Sequence, residues 1–268
     1  GNTSVGRAAL SANTTASQNT AVGNRSMEDT TTGADNTAIG WGSLTDNTTG
    51  TQNTALGRSA LAASTTASYN TAAGYHSLVA NTSGQENAAF GTDTLKTNTS
   101  GGKNTGLGAY ALNGNTTASS NTAVGYLALY SNTTGPQNVA VGTEALKTQT
   151  TSEYNTAVGY RAGYLITDGL QNTYIGGQAG YASTTGDYNV GVGVNALASQ
   201  TTASHNTCLG YSSGDNITTG GGNVNVGGVS GGAVSTGSNN TSIGYNAGGV
   251  WSGGASSNIA MGKSAVTA

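Results

Sequence analysis

Asparagine recurs through this chain at intervals of 17 residues: Asn2, Asn19, Asn36, Asn53, Asn70, Asn87, Asn104, Asn121, Asn138, Asn155, Asn172, Asn189, Asn206, Asn223 and Asn240. Asn258 follows after one extra residue. Each Asn is followed four residues later by glycine, as at Gly40, Gly57, Gly125 and Gly159. A unit of this length is too short for a helix pair or a propeller blade, and it suits one coil of a β-solenoid with short strands and tight turns. The sequence therefore predicts an all-β fold, a parallel β-solenoid of about sixteen coils that forms one repeat domain over residues 1–268.

The register explains the residue types. Equivalent side chains of successive coils lie over one another about 4.8 Å apart, so identical amides can form ladders. Asn36, Asn53, Asn121 and Asn155 are read as members of such a ladder, and Asn also tolerates the turn that precedes a strand. The glycines fit a corner with positive φ or a close approach of another backbone.

Counting each Asn as position 0, position 3 is apolar in nearly every unit, from Val5, Val22 and Ile39 to Ile243 and Met261. Position 8 is a second apolar column, Leu10, Met27 and Leu44 onward, which turns to glycine at Gly163, Gly180, Gly214, Gly231 and Gly248. Those later coils are expected to be thinner there. Period-two alternation puts position 2 on the opposite face from position 3, and position 2 is small: Ala21, Ala38, Ala55, Ala123, Ala157. With few apolar residues per coil the core of one chain is thin, and association compensates for thin cores in small repetitive folds. The expectation is a homotrimer packed around this small-residue face, or a subunit stacked end to end in a fibre; the alternative is that Ala and Gly merely fit a tight corner of a monomer.

Composition excludes several functions. The eight Lys and Arg residues are scattered, the net charge is −3, and no basic surface for nucleic acid is concentrated anywhere. No apolar run approaches the ~18 residues of a membrane span, so no membrane insertion is expected. Cys208 is the single cysteine, which rules out an intrachain disulfide, and its place among the small residues predicts a buried, inert thiol.

Titratable groups are sparse. His76 and His205 fall at different repeat positions, so no shared metal site is expected. Asp29 and Asp46 hold one position in adjacent coils, beside Glu28, at a separation of about 5 Å that a retaining glycosidase also uses. They lack an aromatic cleft or basic partner, so no catalytic residue and no cofactor is assigned, and the chain is read as a non-enzyme. Gly220 to Gly228 lacks the aspartates of a calcium-binding repeat. Asn-x-Ser/Thr sequons at Asn13, Asn47, Asn81, Asn98, Asn115 and Asn132 are read as turn residues.

Two columns carry the candidate surfaces. Position 5 holds Trp41, Tyr75, Tyr126, Tyr160, Tyr211 and Tyr245, whose rings can stack on sugars while their polar tips stay wet, and packing over the glycine corner accounts for them equally well. Position 12 is threonine in thirteen consecutive coils, from Thr14 and Thr31 to Thr201 and Thr218. That hydroxyl ladder resembles the arrays of ice-binding solenoids.

The units Asn121-Thr-Ala-Val-Gly-Tyr126, Asn155-Thr-Ala-Val-Gly-Tyr160 and Asn36-Thr-Ala-Ile-Gly40 resemble repeats of trimeric autotransporter adhesin heads and of phage tail-fibre shafts, with a coil somewhat longer than the adhesin heads use. The resemblance implies parallel β-rolls, usually trimeric, that display a binding surface. The expected role is then a rigid spacer or a receptor- or glycan-binding segment of an extracellular or virion-surface fibre. An ice-binding protein is the alternative, and a polysaccharide-degrading enzyme a remote one.

Overall fold

The computed structural model describes residues 1–266. The chain is an all-β parallel solenoid in which each 17-residue repeat makes one coil, and no helix forms among the described residues. It comprises two compact units, Gly1–Pro136 and Gln137–Ala268. The first carries strands β1 (Thr3–Val5) to β8 (Thr122–Val124), the second β9 (Val139–Val141) to β16 (Ile259–Met261).

Within each unit every strand pairs in parallel with the next at zero offset. In the first, Thr20, Ala21 and Val22 lie opposite Thr37, Ala38 and Ile39. In the second, Thr156, Ala157 and Val158 lie opposite Thr173, Tyr174 and Ile175. The extra residue before Asn258 is taken up in a turn, because Thr241 still faces Ile259. Although strands are only three residues long, the rest of the coil also bonds to its neighbour: Met27 N–H donates to the Ser43 carbonyl, Asp29 N–H to Thr45 and Thr31 N–H to Thr48. The backbone is thereby satisfied well outside the strands.

The two faces of the strand are the reverse of the expectation. Position 2 points into the coil, where Ala21, Ala38, Ala55, Ala123 and Ala157 are fully buried. Position 3 points out, and Val5, Ile39, Leu56, Phe90, Leu107, Ile175 and Leu209 are exposed. The reason is volume. The Asn side chains and the position-8 leucines fill most of the coil interior, which leaves room at position 2 for little more than a methyl group. The small-residue face is therefore internal to one chain and is closed to a second.

The Asn ladder is the polar spine of that interior. Asn53 Nδ2 donates to the Ala67 carbonyl in its own coil at 2.9 Å, while its Oδ1 accepts from Asn70 N–H in the next coil at 3.0 Å. Asn155 does the same with Gly169 at 2.7 Å and Asn172 at 2.9 Å. Asn36 and Asn121 are equally buried. The glycine at position 4 meets both expected conditions. Gly40 has φ 144°, and a Cβ there would lie 2.4 Å from the Gly57 carbonyl oxygen.

Position 8 is the second surprise. Leu44, Leu61, Leu78, Leu95, Leu112, Leu129, Leu146 and Leu197 are fully buried, yet their φ values run from 49° to 55°. Burying a leucine stabilises by about 1.5–3 kcal/mol, and a left-handed backbone costs about 1–2 kcal/mol, so burial wins by a thin margin. Where other side chains fill the same space, glycine removes the strain. Gly163 sits beside Leu146, Ile166 and Tyr174, Gly214 beside Cys208 and Ile217, and Gly231 beside Asn225. The glycine coils are repacked rather than thinner.

Candidate binding surface

The six aromatic residues at position 5 follow the glycine corner and stand in solvent, between 43% and 61% exposed for Trp41, Tyr75, Tyr126, Tyr160, Tyr211 and Tyr245. They never occupy adjacent coils: 34 residues separate Trp41 from Tyr75 and 51 separate Tyr75 from Tyr126, and this alternation of two and three coils continues to Tyr245. A two-coil gap is about 10 Å, room for one planar cation between two rings. Arg58 fills it, its guanidinium 5.0 Å from the Trp41 ring and 5.9 Å from Tyr75. Tyr75 stacks in turn on His76 at 3.7 Å, so His76 is half-buried, while His205 is exposed and stacks on Tyr188 at 5.0 Å.

The second unit has a charged counterpart that residue spacing did not reveal. Glu144 Oε1 accepts from Lys147 Nζ at 2.6 Å, and its Oε2 from Arg161 Nε at 2.6 Å. Arg161 lies over Tyr160 at 5.0 Å and over Tyr164 at 5.3 Å, and Tyr164 stacks on Tyr181 at 5.4 Å. The Lys147 and Arg161 hydrogen bonds hold the Glu144 carboxyl below the usual glutamate range. Together these contacts make a rigid, partly apolar shoulder beside the outward strand face.

The outward strand face is regular along each unit. Positions 1 and 3 point outward, mostly as Thr beside Val, Ile or Leu, and neither column contains a charged residue in any of the sixteen repeats. In the sequence this face is visible as an apolar column whose direction alternation leaves open.

The threonines of position 12 are structural. Thr48 Oγ1 donates to the Thr65 carbonyl at 3.0 Å, Thr99 to Thr116 at 3.1 Å and Thr201 to Thr218 at 3.1 Å. Their hydroxyl protons are spent on the backbone of the next coil. The sequon residues Asn47, Asn81, Asn98, Asn115 and Asn132 are buried. Asn98 Nδ2 bonds the Gly101 carbonyl and Asn81 Oδ1, both at 2.9 Å, and Asn115 and Asn132 repeat the amide contact, so Asn81, Asn98, Asn115 and Asn132 form a second internal amide ladder, while Asn47 bonds Thr30 instead.

Asp29 and Asp46 are both exposed. Partial burial and then the charge of Asp29 raise the Asp46 carboxyl above its ordinary value, while Glu28 is engaged by Arg25. Cys208 is buried, accepts a 3.4 Å contact from Asn225 Nδ2, and has its thiol pushed up to about 12 by burial. Among the described residues no group of three or more His, Cys, Asp or Glu is placed to share a metal ion, and no helix is long and apolar enough to cross a membrane.

Comparison of the chain with protein-family models, with curated proteins and with solved structures finds no match.

Proposed function

We propose that this chain is a segment of an extracellular or virion-surface fibre, of the kind built from adhesin-head and tail-fibre repeats, that associates side by side through its outward strand face and acts by binding. The observation that carries this reading is the charge-free apolar column at position 3, exposed at 49% for Leu107 and 39% for Ile175. Exposed apolar strips of this regularity mark interaction surfaces. A partner must match a repeat of about 4.8 Å, and another copy of the same solenoid does so in every coil. The side chains on that face, methyl against methyl with no charge to desolvate, favour close packing of three copies, the assembly the resemblance implies.

Light scattering on the intact chain tests the assembly. Leu107→Arg with Ile175→Arg should yield folded monomers, because both positions are exposed within one chain while an unpaired charge in an interface is costly. Ala123→Arg with Ala157→Arg should instead unfold coils, since those positions are internal. A wild-type chain that stays monomeric at high concentration would sink the proposal.

Ice binding is the second reading, now on a different column. The outward Thr20, Thr37 and Thr54 stand beside Val22, Ile39 and Leu56 and offer a regular methyl and hydroxyl array. Ice-recrystallisation inhibition lost on Thr37→Lys with Thr54→Lys would favour it over self-association.

A further inference from the structure

In a solenoid, local departures from the repeat single out where the surface differs, and three of them coincide in the first unit. Position 13 is threonine in each of its coils except at Ser83 and Ser100. Position 15 shrinks to Gly102 in the coil of Ser100, and position 16 carries Ser120 in the next. Where these smaller residues meet, the surface opens into a notch of about 480 Å³, lined also by Gln85, Glu86 and Lys103.

The lining is polar, and its chemistry is mixed. Glu86 and Lys103 share position 16 in neighbouring coils and are exposed, yet neither belongs to any of the five ion pairs among the described residues. A carboxylate that only accepts, an ammonium that only donates, hydroxyls that do both and the Gln85 amide make one set around a small open space. In the coil before Glu86 the same position holds Tyr69, 56% exposed, a flat apolar ring one coil from Glu86 and outside the notch's own lining. The floor is fixed by one backbone bond, Lys103 N–H to the Gln85 carbonyl at 2.9 Å, and by one to a side chain, Gly102 N–H to Ser119 Oγ at 3.1 Å.

We infer that this notch is a binding site for a neutral pyranose unit of an oligosaccharide. A sugar ring offers hydroxyls that accept from Lys103 and donate to Glu86, and an apolar face that a neighbouring Tyr69 can cover. The combined charge of the two side chains is zero, so neither an anionic nor a cationic ligand gains from both. The open form admits a chain passing through rather than an enclosed substrate. The inference rests on reading the chain as a binding fibre, and it places the contact on the opposite shoulder of the coil from the position-5 aromatics.

The test is an array of neutral and acidic oligosaccharides probed with the intact wild-type chain and with variants. Binding to neutral pyranose oligosaccharides is expected, reduced about tenfold or more by Glu86→Gln and by Lys103→Ala, in line with lost hydrogen bonds to charged groups. Ser83→Thr with Ser100→Thr and Ser120→Gln restores residues found at those positions in other coils, so it fills the notch without threatening the fold, and it should abolish binding. Binding that survives this filling but falls on Tyr126→Ala and Tyr160→Ala would overturn the notch and leave the adhesive reading standing. No binding to any oligosaccharide would overturn both, while the oligomeric state would still decide self-association.

Discussion

A Cβ added to Gly180 would lie 2.5 Å from the ring of Tyr174, because that ring fills the space a leucine occupies at the same position of other coils. Tyr174 is fully buried, its hydroxyl donating to Ser183 Oγ at 3.1 Å and accepting from Gln200 Nε2 at 3.2 Å. The pair is a substitution at constant volume: small at position 2 with leucine at position 8, or large at position 2 with glycine at position 8.

Tyr174→Ala should therefore cost about 3–5 kcal/mol through the cavity it leaves. Gly180→Leu alone should destabilise by overpacking. The double variant recreates the arrangement of Ala140 with Leu146 and should recover most of the loss. A denaturant-unfolding cycle checks this, and additive losses would refute the volume exchange.

Within the spine, Asn87 Nδ2 donates to the Gly101 carbonyl at 2.9 Å, and its Oδ1 accepts from Asn104 N–H at 3.0 Å. Asn98 also donates to Gly101, so in Asn87→Ala the group left without a partner is the buried Asn104 N–H. The expected cost is about 1–3 kcal/mol. Asn87→Asp should cost more, since a carboxylate cannot donate and would be buried without a cation. Equal stability of the two variants by chemical denaturation would argue against the ladder.

Thr99→Val removes the hydroxyl that donates to the Thr116 carbonyl while keeping the side-chain shape. A loss of about 0.5–1.5 kcal/mol is expected. Ice-recrystallisation activity, if the chain has any, should not change, because this hydroxyl serves the next coil. A loss of ice activity without a loss of stability would contradict the structural role.

The buried thiol of Cys208 gives a pH dependence with a definite sign. Its ordinary value is 9.0 and burial raises it to about 12. Between those values the unfolded chain has lost the proton and the folded chain still holds it, so stability is full below pH 9.0 and falls as pH rises toward 12. Cys208→Ala should flatten that alkaline decline in thermal unfolding. In the native wild-type chain at pH 8 the thiol should resist aromatic disulfide reagents until denaturant is added, and prompt labelling would show that the site opens.

The unbroken columns of Asn and Gly were enough to define the coil, its parallel stacking and its register, because a 17-residue unit is too short for a helix pair or a propeller blade and suits one solenoid coil with a ladder residue per turn. The buried Cys208 was also legible from its place in the unit, whereas for Trp41, Tyr75 and Tyr126 that place allowed either an exposed ring or one packed over the glycine corner. The direction of the strand was not. Alternation says that Ala38 and Ile39 face opposite ways, and it is silent on which way is inward. The usual preference for burying the larger apolar residue gave the wrong answer, since the interior already holds Asn36 and Leu44 and has space only for Ala38. Likewise, glycine at position 180 looked like a gap until the ring of Tyr174 was seen to occupy it. Period and register are properties of the chain read along its length, whereas the inward face and the notch beside Glu86 and Lys103 depend on volumes contributed by different parts of a coil and by neighbouring coils. Only the folded packing brings those volumes together.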